Sequence, residues 1–573
     1  MLKKQCLVIF IGLLLIFSTN VALSDDVGAS KKGIMVVAAN PKAVKAGYQI
    51  LQNGGNALDA AIAVQMVLTL VEPQSSGIGG GAFLLYWDNK AKKLHAFDGR
   101  ETAPLTARAD RFLLPSGKPQ NFYQAVVGGP SVGVPGLLAM LEKSHKTHGV
   151  APWSSLFSSS IKLAKKGFIV SPRLKEKLKK DLYLKHNPTA NRYFYNDDGT
   201  PKGRLVNVPL AKALHDVAHG GSQAFYEGEL AKNMVAAVKN ASPPGDLTLE
   251  DFKAYKAIER EPICNNYKSN NVCSMPPPTS GGIALLQMLG ILETFDVKKE
   301  KPESAKIVHL FTQAQRLAFA DRNQYVADAD FVRVPVQHLL NKEYLQKRAA
   351  VIQLDKDMGR AKPGKISEAL VINRGESIDF SHPSTSHISI IDSWGNAVSM
   401  TTSIENGFGS RIMVNGFLLN NQLTDFSFLP TPKQSKNNNN KLVANRVEPG
   451  KRPRSSMTPT MVFNKNGELS IVAGSPGGPK IIGYVARTIW SLLEWDLDPK
   501  QVVSAPNFGN TNGVTILEAG TTIEALKEPL EAMGHKVKIK AMESGLNVIK
   551  IDKNGMRGGT DPRREGIIIT DRH

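Results

Sequence analysis

The sequence predicts an α+β protein in which runs of strand and runs of helix follow one another in blocks. Three observations carry this. Short alternating segments such as "AFLLYW", "TSHISIID" and "ELSIVAGS" read as strands, long apolar-periodic segments such as "IALLQMLGILETF" and "IIGYVARTIWSLLEW" read as helices, and the two kinds are not interleaved one for one. Two stacked sheets covered by helices on both sides would bury so much apolar strand and helix in one body. The pattern alone leaves the topology open.

Taken in order, Pro41 to Val71 reads as two helices around "NGGN", with "ALDAAIAVQMVLTLVEP" as a buried helix. A glycine-rich turn, "SSGIGGG", then leads to a strand "AFLLYW" paired with "KLHAFDG". Helices dominate from Gly136 to about Lys239, and Thr248-x-x-Asp251 is a capping signal that opens another. "SMPPPTSGG" breaks the chain before the next apolar helix, and the polar stretch from Asp355 to Pro383 reads as an exposed linker. After it come a hairpin, a strand "GFLLNNQ", a polar loop from Leu429 to Gly450, strands "TPTMVFN" and "ELSIVAGS", and a closing helix. No repeat of solenoid period is present.

The first residues carry two lysines, an apolar run from Leu7 to Phe17 and the small-residue exit Ala22-Leu23-Ser24. This is the pattern of a secretory signal over residues 1–24, and the run is shorter than the roughly 20 residues a spanning helix needs. No later segment is long and apolar enough to span a bilayer. The chain of 573 residues has a formal charge of +20, yet no finger, homeodomain or RNA-recognition signature accompanies it, so nucleic acid is not an expected partner. The lysines read as a solvated face. Past the signal only Cys264 and Cys273 remain, in "EPICNNYKSNNVCSM", where a turn near Lys268-Ser269 would set them opposite each other. An oxidising compartment could bridge them, whereas a metal would need two further ligands and none lies nearby.

The hairpin concentrates the chemistry. "TSHISIID" and "AVSMTTSI" flank "SWG", a three-residue turn with Gly395 available for a left-handed position. In that register positions summing to 788 face each other, so Thr385 lies opposite Ser403. A threonine hydroxyl needs a base to become a nucleophile, and one solution is the residue's own free α-amine, which titrates near pH 8. That solution requires the chain to be cut between Ser384 and Thr385.

The string "TSHISIIDSWGNAVSMTTSIE", followed by "LLNNQLTDFS", "KRPRSSMTPT" and "GSPGG", and preceded by "GIGGGAFLL", "FDGRETAP" and "SMPPPTSGG", resembles the γ-glutamyltranspeptidases, a family of N-terminal nucleophile hydrolases. The resemblance covers nearly all of the chain past the signal. It implies a four-layer αββα sandwich made by two fragments of one self-cleaving precursor, 25–384 as the large subunit and 385–573 as the small catalytic one. Carried across, it makes Thr385 the nucleophile and agent of cleavage, and Ser403 its hydrogen-bonding partner in place of a usual threonine. Gly477 and Gly478 would supply the oxyanion-hole N–H groups, where glycine lets the backbone approach closely. Arg100 would pair the substrate α-carboxylate, helped by Ser455 and Ser456, while Gln422, Asp425 and Glu405 would surround its ammonium. No metal or organic cofactor is implied, and the partners are small molecules: glutathione or other γ-glutamyl compounds, with amino acids, dipeptides or water as acceptors. The implied location is outside the cytoplasm, in the periplasm.

Three departures from the family pattern stand out. Glu405 is asparagine in many members and would add negative charge near the ammonium; Thr424 replaces a common aspartate; the 429–450 loop, a lid in many members, has no aromatic residue. A glutaryl- or cephalosporin-type acylase of the same fold, or a non-catalytic amino-acid-binding protein, are the competing functions. Asp425 argues against the acylase, because an acyl group without an α-amine has less use for it. Two further motifs compete for the chemistry. "GPSVG" fits G-x-S-x-G around Ser131, but Pro130 and the following "VPG" do not make a nucleophile elbow. His382 and His387 fit no common metal-ligand spacing.

Overall fold

A computed structural model describes residues 33–366, 374–375, 384–432 and 441–571. The signal segment, most of the 367–383 stretch with His382, and the middle of the 429–450 loop lie outside the described residues. Strands of the two large sheets are numbered in chain order. The first half supplies β1 (Met35–Ala38), β2 (Gly81–Asp88), β3 (Lys93–Gly99), β4 (Ile258–Arg260), β5 (Ile263–Tyr267) and β6 (Asn270–Ser274). The second half supplies β7 (Thr385–Ile391), β8 (Ala397–Ser403), β9 (Thr460–Phe463), β10 (Leu469–Gly474), β11 (Asn547–Asp552), β12 (Gly555–Thr560) and β13 (Ile567–Thr570).

A seven-stranded sheet runs β13-β1-β7-β8-β2-β3-β4 and a six-stranded sheet β12-β11-β10-β9-β6-β5. All their pairings are antiparallel. Side-chain alternation assigns the layers. Even-numbered Ile388, Ile390, Val398 and Met400 join a core with helices α1 (Pro41–Gln52) and α2 (Ala57–Val71). Odd-numbered Ile391 and Ala397 join a second core with β9, β10 and β11 and with helices α3 (Gly281–Leu292), α4 (Ala305–Tyr325) and α5 (Ile481–Glu494). The result is helix, sheet, sheet, helix, the four-layer αββα order.

The local signals act as their chemistry dictates. Asn56 and Asp59 cap α2 reciprocally, and Thr248 and Asp251 do the same for the helix at Leu249–Ala254. The β7–β8 hairpin closes through the Asp392 N–H donating to the Asn396 carbonyl, with Gly395 at φ 81 in the left-handed region, and its register pairs Thr385 with Ser403. Between the sheets the odd positions near the hairpin's open end are polar. Ser389 donates to the Asn547 carbonyl and Ser399 to the Ala473 carbonyl, each at 3.0 Å, so the hydroxyls join one sheet to the other. Cys264 and Cys273 pair across β5 and β6 and are bonded.

One element differs from its sequence reading. "GFLLNNQ" is a strand only at Phe417–Leu418 and then turns into a 3-10 segment at Gln422–Asp425. The cause is Asn420, whose amide donates to the Gly79 and Gly133 carbonyls and whose oxygen accepts from the Gly133 and Gln422 N–H groups. A buried side chain thus takes over hydrogen bonds that a strand would have placed on a neighbour.

Candidate active site

Thr385 opens β7 with its side chain on the face toward the second sheet. Its Oγ1 lies 3.2 Å from Ser403 Oγ. Ser403 also donates to the Ser384 carbonyl at 3.0 Å and accepts from the Glu405 N–H at 2.9 Å. With its one proton on Ser384, Ser403 accepts from Thr385. The bond between Ser384 and Thr385 is fixed on both sides: the Ser384 N–H donates to the Glu405 carbonyl at 3.2 Å and its hydroxyl to the Gln74 carbonyl, while Arg564 Nη1 donates to the Thr385 carbonyl at 2.7 Å. Burial, with Arg173 nearby, lowers the Arg564 guanidinium to about 10.

A polar cavity opens over these hydroxyls. Thr385, Ser403, Arg100, Glu405, Gln422, Asp425, Ser455, Ser456 and Gly478 all line it, although their sequence positions span most of the chain. Arg100 follows β3 and is fully buried. Its Nε donates to the Pro453 carbonyl at 3.0 Å and its Nη2 to Asp425 Oδ2 at 2.5 Å, while Nη1 has no hydrogen-bond partner. Gln422 Nε2 also donates to Asp425 Oδ2, at 2.8 Å, and its own Oε1 is unpartnered. A guanidinium, a carboxylate and an amide oxygen therefore share one small space, the complement of an amino-acid head group.

Glu405 is buried at the cavity wall. Burial first, and then the neighbouring Asp425, push its carboxyl well above the usual range, against the amide of Asn421 that donates to it. Burial therefore disfavours its charged form, and an ammonium beside it would favour that form.

The serine pair is positioned by a segment distant in sequence. Ser280, at the end of "PPPTS", donates to the Ser455 carbonyl through its N–H at 2.9 Å and its hydroxyl at 2.6 Å. Arg322, on α4, donates to Ser280 Oγ at 2.8 Å and to Ser456 Oγ at 2.9 Å. Gly477 and Gly478 make the turn between β10 and α5 at φ 142 and 59, conformations that side chains strain. Gly478 lines the cavity. Gly477 sits behind it, with the Tyr484 ring where a Cβ would go.

Arg322, Arg454, Met457, Pro479 and Ile481 also line the cavity, and Arg564 touches Thr385; none was singled out from sequence. Pro479 and Ile481 follow the glycine turn and Arg454 and Met457 flank the serine pair, so their place beside predicted site residues is the signal for these four; Arg322 and Arg564 carry none. The competing motifs are accounted for. Ser131 is buried and donates to the Val126 carbonyl at 2.7 Å and the Gly128 carbonyl at 2.9 Å. His387 lies between the sheets, bonded to Thr401 Oγ1 at 2.8 Å and Ser389 Oγ at 3.1 Å, and burial lowers its imidazole to about 3.

A four-layer αββα sandwich with a hydroxyl at the head of a central strand, opening on a polar cavity beside a glycine turn, defines an N-terminal nucleophile hydrolase. Comparison with known proteins narrows this. The family described as gamma-glutamyltranspeptidase matches residues 43–570. The glutathione hydrolase proenzyme of Bacillus subtilis is 37% identical over 558 residues, covering 95% of this chain and 92% of the relative. That of Escherichia coli is 37% identical over 546 residues, covering 93% and 91%. Among solved structures, a cephalosporin acylase from Bacillus halodurans superposes with a TM-score of 0.79 at 27% identity, covering 94% of this chain and 96% of that one. The chain belongs to the γ-glutamyltranspeptidase family.

Proposed function

We propose that this protein is a γ-glutamyltranspeptidase and glutathione hydrolase that activates itself by cutting between Ser384 and Thr385. The observation that carries the reading is Thr385 at the head of β7, 3.2 Å from Ser403 and in one cavity with Arg100 and Asp425. In the cut, Thr385 Oγ1 attacks the Ser384 carbonyl carbon while the Ser403 hydroxyl, already donating to that carbonyl oxygen, supports the negative charge that develops there. The amide nitrogen leaves protonated, an ester forms, and water hydrolyses it to a Ser384 carboxylate and a Thr385 α-amine.

The new amine is the base for turnover. It takes the Thr385 proton as the oxygen attacks a γ-glutamyl amide, the N–H groups of Gly477 and Gly478 hold the oxyanion, and the leaving amine departs with the proton. Water or another amine then takes the γ-glutamyl group. Arg100 with Ser455 and Ser456 holds the α-carboxylate, and Asp425, Gln422 and Glu405 hold the ammonium. Residues 1–24 direct the chain out of the cytoplasm to the periplasm, where the Cys264–Cys273 bridge is at home.

Denaturing electrophoresis with N-terminal sequencing tests the cut. Wild type is expected as two fragments, the smaller starting Thr-Ser-His; Thr385→Ala should stay whole and inactive. A continuous chain with full turnover would refute the mechanism. Release from a γ-glutamyl anilide against a glutaryl anilide separates this activity from an acylase, and Asp425→Asn should lose about 10²-fold in kcat/KM on the first substrate alone.

A further inference from the structure

We infer that the lobe around residues 158–196 is a docking surface for an anionic lipid bilayer. This inference is independent of the proposed reaction. The +20 charge is unevenly spread: these 39 residues hold ten Lys or Arg against two Asp or Glu, a net +8. They form helices at Ser158–Lys166, Pro172–Lys180 and Pro188–Phe194. Arg173 contacts Glu72 and the Glu565 carboxylate accepts from the Arg173 backbone N–H, while Lys177 and Lys180 pair with Glu543 and Glu176. Lys162, Lys165, Lys166, Lys175 and Lys179 are exposed and have no carboxylate partner among the described residues.

A second feature distinguishes the lobe from an ordinary solvated face. Between its first two helices, Phe168–Ile169 pairs with Arg204–Leu205 as a small ribbon. Phe168 and Leu205 point inward, but Ile169 is 64% exposed, Val206 48% and Val208 60%. Val206 packs beside Gly167, and Arg204 donates to the Lys166 carbonyl, so the ribbon adjoins the C-terminal end of the basic Ser158–Lys166 helix. Phe168, Ile169, Val170 and Pro172 also wall a groove that Lys42 and Glu565 line. A hydrated polyanion would satisfy the lysines and leave the aliphatic groups in water. An anionic bilayer satisfies both, the lysines at the headgroups and the aliphatic tips at the acyl boundary.

Flotation of the purified full chain with phosphatidylcholine vesicles, with or without about one third phosphatidylglycerol, tests this. The protein is expected to float only with the anionic vesicles and to be released by salt. Binding should fall at least about tenfold in Lys165→Glu/Lys166→Glu/Lys175→Glu/Lys179→Glu and severalfold in Ile169→Ser/Val206→Ser/Val208→Ser, both retaining wild-type anilide hydrolysis as a check on folding. Equal binding to neutral vesicles overturns the inference. So does undiminished flotation of the charge variant, which would mean that the lysines of the lobe do not carry the binding. Undiminished flotation of the serine variant overturns it too, since binding would then be a purely electrostatic property of the lobe.

Discussion

Ser403 makes three hydrogen bonds, and their directions determine what it does. It accepts from Thr385 and from the Glu405 N–H and gives its only proton to the Ser384 carbonyl, so removing it takes away both the donor at the bond to be cut and the partner of the nucleophile. Ser403→Ala should slow self-cleavage by about 10²-fold, read as the time course of precursor loss on a gel, while Ser403→Thr should retain it. Glu101 is a different kind of residue. It is fully buried beside Arg100, 3.9 Å from Nη1, with neither carboxyl oxygen hydrogen-bonded, and burial raises it to about 8, Asp425 and Asp98 adding to the effect and Arg100 opposing it. The folded protein keeps this proton up to about pH 8, whereas the unfolded chain releases it near 4.5. The folded state binds more protons in that window, so stability is fully present below it and is lost as pH rises through it. Glu101→Gln should flatten the decline between pH 5 and 8, a difference on the order of 4 kcal/mol in urea unfolding. A decline as steep as in wild type would place the titration elsewhere.

At the scale of elements, the β7–β8 hairpin was legible because a two-residue period and a glycine in a three-residue turn leave one register, and Thr385 opposite Ser403 follows from it. The Gly416–Gln422 strand was misread because its period is right but Asn420 binds backbone from Gly79 and Gly133, hundreds of positions away, which no local pattern reveals. Arg322 escaped for the same reason: an arginine in a helix looks alike whether it faces solvent or a cavity. The packing between the sheets was equally hidden. Gly474 on β10 lies against the His387 ring on β7, and a Cβ there would run into the imidazole. The histidine cannot swing away, since both its nitrogens are held by Thr401 and Ser389. Gly474→Ala should therefore cost about 2 kcal/mol by forcing the sheets apart, seen as a lower urea midpoint with an unchanged m-value. A neutral substitution would mean that the interface yields more readily than its hydrogen bonds suggest.

At the scale of the molecule, the order of strands decides what a cut at Ser384–Thr385 can do. In the seven-stranded sheet, β1 from the first part of the chain lies between β13 and β7 from the second, and β8 pairs with β2 of the first part. In the other sheet β9 pairs with β6 across the same division. Each large sheet thus contains at least one backbone ladder between the two fragments, and both cores draw apolar side chains from either side of the cut. Parting them would expose those cores and unpair central strands, not edges, which amounts to unfolding. The fragments should therefore behave as one particle after cleavage. Size exclusion in native buffer is expected to give a single peak containing both, with no exchange of an isotope-labelled small fragment over hours, and the two should separate only at denaturant concentrations that also abolish the helical circular dichroism signal. Dissociation while that signal is intact would show that the intersheet contacts do not hold the fragments together.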